Sequence, residues 1–328
     1  MSGPVVVLAV PDGAAEALSA RPTALEQAAT PTLDRLAAQG RVRRVRTIPR
    51  GLAAGTEVGV PTLLGVRLAT APSRGRLEAA AAGVALGADE GAWRLDLLPG
   101  TRPDAGGIAR LAAGLAPLGA RVRHLGGHRL LLTGPAAWGD APPGPHQTSR
   151  PLAALAGPAF AAVAALAVEA LGGVPAWPWG RLGSAAELPD LTALLGRPVV
   201  VVAQGGAPAG VAGLLGCDLV RAAPGAGAAV AADAEPGSLV VIHDPRPDEA
   251  AHCRDRAGKV AAVEAFDRDV VAPARAVVAA RGGVLVVCPD HGCDPRSGRH
   301  GRDPVPAVVW QAAAAPGGAA PGDAAPGG

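Results

Sequence analysis

The chain has 328 residues and a net charge of +2, from 30 Lys+Arg against 28 Asp+Glu. That balance provides no basic field for a nucleic acid, and five Trp, two Phe and no Tyr leave little aromatic surface for stacking bases. Four cysteines (Cys217, Cys253, Cys288, Cys293) show no C-x-x-C spacing, and no stretch reaches about 18 strongly apolar residues. The expectation is a cytoplasmic protein with no disulfide framework, no nucleic-acid partner and no membrane span.

In chain order, residues 4–10 (PVVVLAV) read as a buried strand that runs into Pro11-Asp12-Gly13. The run is too short for a signal segment and has no basic flank. Residues 23–39 carry a helical pattern. Residues 51–65 (GLAAGTEVGVPTLLG) read as a Gly/Ala-rich loop that enters a helix at Thr56. From about 80 to 170 the strand-then-acid pattern lapses, so this stretch is expected to be an inserted smaller α+β or cap domain; within it, 153–171 read as a helix of a water-soluble domain. Trp177 and Trp179 are expected to pack between the two lobes. Further strands are expected at 198–203, 238–243 and 283–288, with a helix at 257–281. The low-complexity segment 311–328 is expected to be disordered.

Near-continuous Val/Leu/Ile runs mark strands buried on both faces, and their alternation with helices predicts a doubly wound, mostly parallel α/β sheet. The core is expected to span 1–79 and 171–310. In such sheets functional groups gather beyond the carboxyl ends of the strands. Three of these strands run into Asp12, Asp244 and Asp290-His291, so those side chains are expected to converge.

Divalent ions need convergent carboxylate and imidazole ligands. Asp248-x-x-x-His252 places two such groups one helical turn apart. Asp290-His291 is a second pair, His300 follows, and Asp12 ends the first strand. Each piece alone is common. The combined order is more specific, and six ligands suit two ions, with Zn²⁺ or Mn²⁺ the natural candidates. A hydroxyl at Thr56 would sit at a helix N-terminus, which favours an alkoxide or a phosphate; the same local pattern also fits a plain N-cap. Cys253 and Cys293 flank proposed ligands and read as small buried residues rather than soft-metal ligands.

These residues resemble a family. Asp12-Gly13, the segment Leu25–Ala37, Ala54-Gly55-Thr56-Glu57 with Leu63-Leu64-Gly65, Ser73–Ala80, Gly127-His128-Arg129, Trp179–Gly183 with Leu188-Pro189, and Asp248–His252 follow in order the motifs of archaeal-type cofactor-independent phosphoglycerate mutases, in the alkaline phosphatase superfamily. The resemblance implies an alkaline phosphatase-like fold and a metal-dependent glycolytic isomerase. One ion would be held by Asp248, His252 and His300, the other by Asp12, Asp290, His291 and Thr56. Thr56 would be the nucleophile and form a phospho-threonine. Arg74, Arg94, His128, Arg129 and Arg181 would bind a small phosphorylated substrate. The chain departs from the family in three places: Thr56 stands for Ser, Arg102–Ile108 lacks the family's arginines, and a family lysine has no counterpart near the shortened stretch 225–237. An altered substrate on the same core, giving a phosphatase or another phosphotransferase, is the alternative; a third is a non-catalytic metal-binding relative.

Overall fold

The computed structural model describes residues 3–17, 21–145, 148–182 and 188–312. In chain order, β1 (Val6–Pro11) leads to α1 (Ala24–Gln27), α2 (Pro31–Gln39), β2 (Arg41–Val45) and α3 (Thr56–Leu63). Then come α4 (Arg74–Ala81), β3 (Glu90–Leu97), α5 (Ala105–Leu115), β4 (Arg121–Gly126), β5 (Arg129–Pro135), α6 (Pro158–Ala170) and β6 (Ala176–Trp179). The chain continues through α7 (Leu191–Leu195), β7 (Val199–Val202), α8 (Gly206–Leu214), β8 (Asp218–Val220), α9 (Gly227–Asp233), β9 (Leu239–Asp244), α10 (Arg246–His252), α11 (Arg256–Phe266) and α12 (Ala272–Arg281). The last described elements are β10 (Val284–Val287), β11 (Gly292–Asp294), β12 (Arg299–Gly301) and β13 (Val305–Gln311). No helix among the described residues is long and apolar enough to cross a membrane.

The described residues form two units. The first takes those up to Leu63, Leu191–Gln204 and those from Cys217 on; the second is Leu64–Asp190 with Gly205–Gly216. The boundaries expected near 80 and 170 therefore fall inside the second unit. There α4 places Ala79 in an apolar cluster with Ala92 and Leu131, and β6 completes the sheet. Gln311 pairs with Val284 as the end of β13. Gly183 and residues 313–328 of the expected tail lie outside the described residues.

The first unit is built on a seven-stranded sheet of order β2-β13-β10-β1-β9-β7-β8. β10, β1, β9, β7 and β8 are parallel, and β13 runs antiparallel to both β10 and β2. This is the doubly wound, mostly parallel α/β arrangement that the apolar runs imply. Val7 and Ala9 of β1, Val240 and Ile242 of β9 and Leu285 of β10 share one core cluster with Leu36, Phe266, Val270 and Val278 from the helices. Leu8 and Val10 point to the opposite face and are buried as well.

Two helical stretches differ in detail from the expectation. Residues 23–39 form two helices, because Pro31 lacks an N–H and its ring pushes Thr30 (φ −124°, ψ 63°) out of the helical region. Pro31 instead starts α2, where its fixed φ is an advantage. The freed Thr32 and Leu33 amides donate to the carboxylate of Asp267, from more than 230 residues away in the chain. Residues 256–281 are helical throughout, but 267–271 widen into a π-helical turn just before Pro273, which cannot supply its helical N–H.

The second unit carries an antiparallel sheet of order β4-β5-β3-β6. Leu95, Leu97, Leu130 and Leu132 meet α5 and α6 through Leu111, Leu115, Phe160 and Val163. Trp93 and Phe160 lie edge to face, 5.2 Å between ring centroids. Trp177 and Trp179, expected between the lobes, are residues of β6; their indole N–H groups donate to the Pro143 carbonyl (2.9 Å) and to Asp96 Oδ2 (2.8 Å).

Phe266 is fully buried where α11 meets the sheet. A Phe266→Ala variant is expected to lose about 3–5 kcal/mol, read as a fall in the urea midpoint; an unchanged midpoint would contradict this packing.

Candidate metal centre

The sheet order puts β10, β1 and β9 side by side, so their carboxyl ends open at one place. Asp12 follows β1, Asp290 and His291 follow β10, and β9 ends in His243-Asp244 before α10 brings Asp248 and His252. The backbone fixes these ends: the Asp12 N–H donates to the Asp244 carbonyl (2.9 Å), and the Cys288 N–H donates to the Ala9 carbonyl (3.1 Å). Gly13 then turns with φ +60°. A Cβ there would lie 2.9 Å from Asp248 Cβ and on its carboxylate, so glycine is what lets α10 approach.

Two groups of metal-ligating side chains result. Asp248, His252, Cys293 and His300 form one; Asp12, Asp290 and His291 form the other; within each, the donor atoms lie within 4.8 Å of one another. In the first group, His252 Nε2 is 3.0 Å and His300 Nε2 is 3.3 Å from the Asp248 carboxylate, and the two Nε2 atoms are 2.9 Å apart. In the second, His291 Nε2 is 3.2 Å from Asp12 Oδ1. The Thr56 hydroxyl, at the first turn of α3, donates to Asp12 at 3.3 and 3.4 Å. All seven residues expected as metal ligands thus lie in the first unit, in these two groups or beside them.

Several of these atoms lie in ion-pair range of one another without a well-aligned hydrogen bond. Asp248 Oδ1, Asp290 Oδ2, His291 Nε2 and His243 Nε2 are buried and lack a hydrogen-bond partner of good geometry among the described residues. Orphaned buried polar atoms are costly unless something else satisfies them, and converging carboxylate oxygens and imidazole nitrogens suit a divalent cation. The histidine tautomers agree: Nδ1 of His300 sits 3.0 Å from the Ala54 carbonyl and Nδ1 of His291 3.2 Å from the Gly292 carbonyl. A carbonyl only accepts, so each Nδ1 carries its proton and Nε2 faces the centre.

The electrostatics follow from crowding. Burial alone would raise Asp12, but hydrogen bonding and charge from His243, with help from His291, hold it well below the usual carboxylate range. Burial would also raise Asp248, and hydrogen bonds from His252 and His300 hold it low. Asp290 is pushed up to about 6, by burial first and by the charge of Asp12 second. Burial opposes a charge on His291, yet Asp290 and Asp12 push it up to about 10.

Sequence reasoning missed His243. It is buried at the end of β9, pairs in register with Val10, and its Nε2 lies 3.3 Å from Asp12 Oδ2. Its signal was a polar residue closing the apolar run 238–243. The cysteine expectation was half right: Cys293 is buried but belongs to the first donor group, whereas Cys253 is exposed.

The five residues expected to bind substrate lie in the second unit. Arg94 is buried, with Nη1 2.6 Å from Glu78 and Nε 2.9 Å from Asp96. Arg74 Nε is 3.0 Å from the same Glu78. His128 occupies the turn between β4 and β5, and Arg129 opens β5. Arg181 is largely exposed, 3.7 Å from Asp140.

The folded-state pKa of His291 is raised from 6.5 to about 10, so its stabilisation of the metal-free chain is complete below the unfolded pKa and lost as pH rises toward the folded one. His243 and His252 are shifted in the same direction. The urea midpoint of the metal-free chain is expected to fall as pH rises across this window, with a smaller slope in His291→Asn. A midpoint that rises or stays level would contradict the charge balance.

Residues 222–322 match the model of the metalloenzyme superfamily, and residues 37–105 match that of 2,3-bisphosphoglycerate-independent phosphoglycerate mutase. The chain is 29% identical to the 2,3-bisphosphoglycerate-independent phosphoglycerate mutase of Methanosarcina barkeri, over 88% of this chain and 85% of that protein. It is 27% identical to the enzyme of the same name from Methanosarcina acetivorans, over 89% and 86%. In fold it is similar to the PH0037 protein from Pyrococcus horikoshii (TM-score 0.74, 19% identity, 95% and 88% covered) and to the cofactor-independent phosphoglycerate mutase from Thermoplasma acidophilum (TM-score 0.55, 19% identity, 93% and 89% covered). These matches identify the chain as similar to the archaeal cofactor-independent phosphoglycerate mutases, and so as a phosphoglycerate mutase-like enzyme, a metal-dependent phosphotransferase.

Proposed function

We propose that the chain interconverts 3- and 2-phosphoglycerate through a phospho-threonine at Thr56. One observation carries the reading: a buried hydroxyl at the first turn of α3 donates to a carboxylate of a convergent donor group. In this reading Asp248, His252 and His300 hold one divalent ion, Mn²⁺ or Zn²⁺, and Asp12, Asp290, His291 and Thr56 hold the second. When bound, such ions make a hydroxyl more acidic and offset charge on a phosphoryl group.

The residues do the rest. Asp12, kept ionised by His243 and His291, accepts the Thr56 hydrogen bond and orients its oxygen. The first amides of α3 and its dipole favour negative charge beside that oxygen. The Thr56 hydroxyl gives up its proton and its oxygen bonds to phosphorus as the donor's ester oxygen leaves and takes up a proton in exchange. The glycerate's other hydroxyl then gives up its proton and attacks the phospho-threonine phosphorus, and the departing Thr56 oxygen takes up a proton, which regenerates Thr56. A cytoplasmic, glycolytic setting belongs to this reading and is supported by four cysteines of which none is in a disulfide.

A second reading, transfer to water or to another small phosphate ester, is favoured by one observation. Two arginines expected to clamp substrate, Arg74 and Arg94, are engaged with Glu78 and Asp96, and arginine forks are the usual means of gripping a carboxylate and a phosphate together.

Incubation with 3-phosphoglycerate and Mn²⁺ is expected to yield 2-phosphoglycerate without free phosphate; release of phosphate supports the second reading instead. Thr56→Ala is expected to cut turnover by about 10⁴-fold or more, with Thr56→Ser retaining activity. Undiminished turnover in Thr56→Ala would remove Thr56 as nucleophile.

A further inference from the structure

One residue of the first donor group has no part in the phosphoryl-transfer reading. Cys293 is fully buried, and its Sγ lies within 4.8 Å of the ligand atoms of Asp248, His252 and His300. Two local rules put it there. Asp248 and His252 are four apart on α10 and so share a face. Cys293 and His300 are directly opposed across the β11–β12 pair, so their side chains leave the same face of that ribbon. A helix pair and a ribbon pair thus converge, offering two imidazoles, one carboxylate and one sulfur.

The backbone of Cys293 is held on both sides. Its N–H donates to the carbonyls of Gly13 (3.1 Å) and Ala15 (2.9 Å). Its carbonyl accepts from Lys259 Nζ at 2.5 Å. Lys259 is the chain's only lysine and is wholly buried, so an amine that has no role in the phosphoryl-transfer reading finds one as an anchor for this sulfur's backbone. Cys253, next to His252 in sequence, is exposed and belongs to neither donor group.

We infer that Cys293 is a fourth ligand of the ion held by Asp248, His252 and His300, and that it makes this site selective for Zn²⁺ over Mn²⁺. The inference rests on the metal-binding reading above and sharpens it to a donor set and an ion. A thiolate is a soft donor suited to Zn²⁺, whereas Mn²⁺ favours oxygen-rich, six-coordinate surroundings. Four protein donors of N, O and S type match the tetrahedral preference of zinc, which still expands to five when an oxygen ligand arrives. On binding, the Cys293 S–H bond breaks, the proton goes to solvent and a sulfur–metal bond forms.

The test uses the full chain, stripped with a chelator and reloaded with Co²⁺ as a spectroscopic stand-in for Zn²⁺. A near-ultraviolet sulfur-to-cobalt charge-transfer band is expected in the wild type and in Cys253→Ser, and its loss is expected in Cys293→Ser while the visible cobalt bands persist. In competition titrations, Cys293→Ser is expected to weaken Zn²⁺ binding by roughly 100-fold, the upper end of what outer-sphere changes reach, with little change for Mn²⁺. Should Cys293→Ser fail to fold, the band in the wild type and its survival in Cys253→Ser still decide the matter, because Cys293 is the one thiol in the group. Visible cobalt bands without a charge-transfer band, or a band that survives Cys293→Ser, would overturn the inference and leave a three-donor site standing. Failure to take up cobalt at all would overturn the metal-binding reading as well.

Discussion

The structure of the first unit depends on one electrostatic constraint: carboxylates from three neighbouring strand ends are buried together. Asp12, Asp244 and Asp290 are each nearly or fully inaccessible, and Asp248 is brought against them by α10. Like charges at this depth cannot all persist without positive partners. The chain supplies them from distant segments. His243 and His291 flank Asp12, His252 and His300 flank Asp248, and Arg246 grips both oxygens of Asp244. Asp290, raised first by its burial and then by the charge of Asp12, has its pKa pushed up to about 6.

The fold answers that constraint with short-range geometry. Parallel neighbours align their carboxyl ends, so one residue beyond each strand is enough to build an acidic centre. A left-handed glycine at Gly13 admits the Asp248 carboxylate. Gly59 plays a similar part in α3, because a Cβ there would overlap the Asp290 carbonyl. These glycines explain how a helix carrying a hydroxyl and a helix carrying two ligands both reach the same strand ends. Arg246 ties the start of α10 to Asp244 and to Asp269 of the π-helical turn (3.1 Å), so the ligand helix is braced from two directions.

Much of this was legible in the sequence, for reasons specific to each residue. Asp12, Asp290 and His291 follow uninterrupted apolar runs, and a run buried on both faces announces where it stops. Asp248 and His252 announce themselves by helical spacing, and Thr56 by the glycine-rich entry to a helix. His243 was missed because it is read as part of a strand until register sets it beside Asp12. Cys293 was undervalued because its closeness to His300 depends on a short ribbon rather than on spacing along the chain. The arginines were harder still. Arg94 and Asp96 share a strand face and close on Glu78 from α4, a tertiary ion network that no local pattern displays. The unit boundaries shifted for a similar reason: membership of α4 and β6 is decided by packing partners, not by composition.

We propose that each of the two donor groups holds one ion. The most direct test is the metal-to-chain ratio after the protein is stripped, reloaded with excess Zn²⁺ or Mn²⁺, desalted and analysed by mass spectrometry. Two ions per chain are expected, falling to one when Asp248 or Asp290 is replaced by Asn. A loaded chain that retains less than one ion would contradict the proposal.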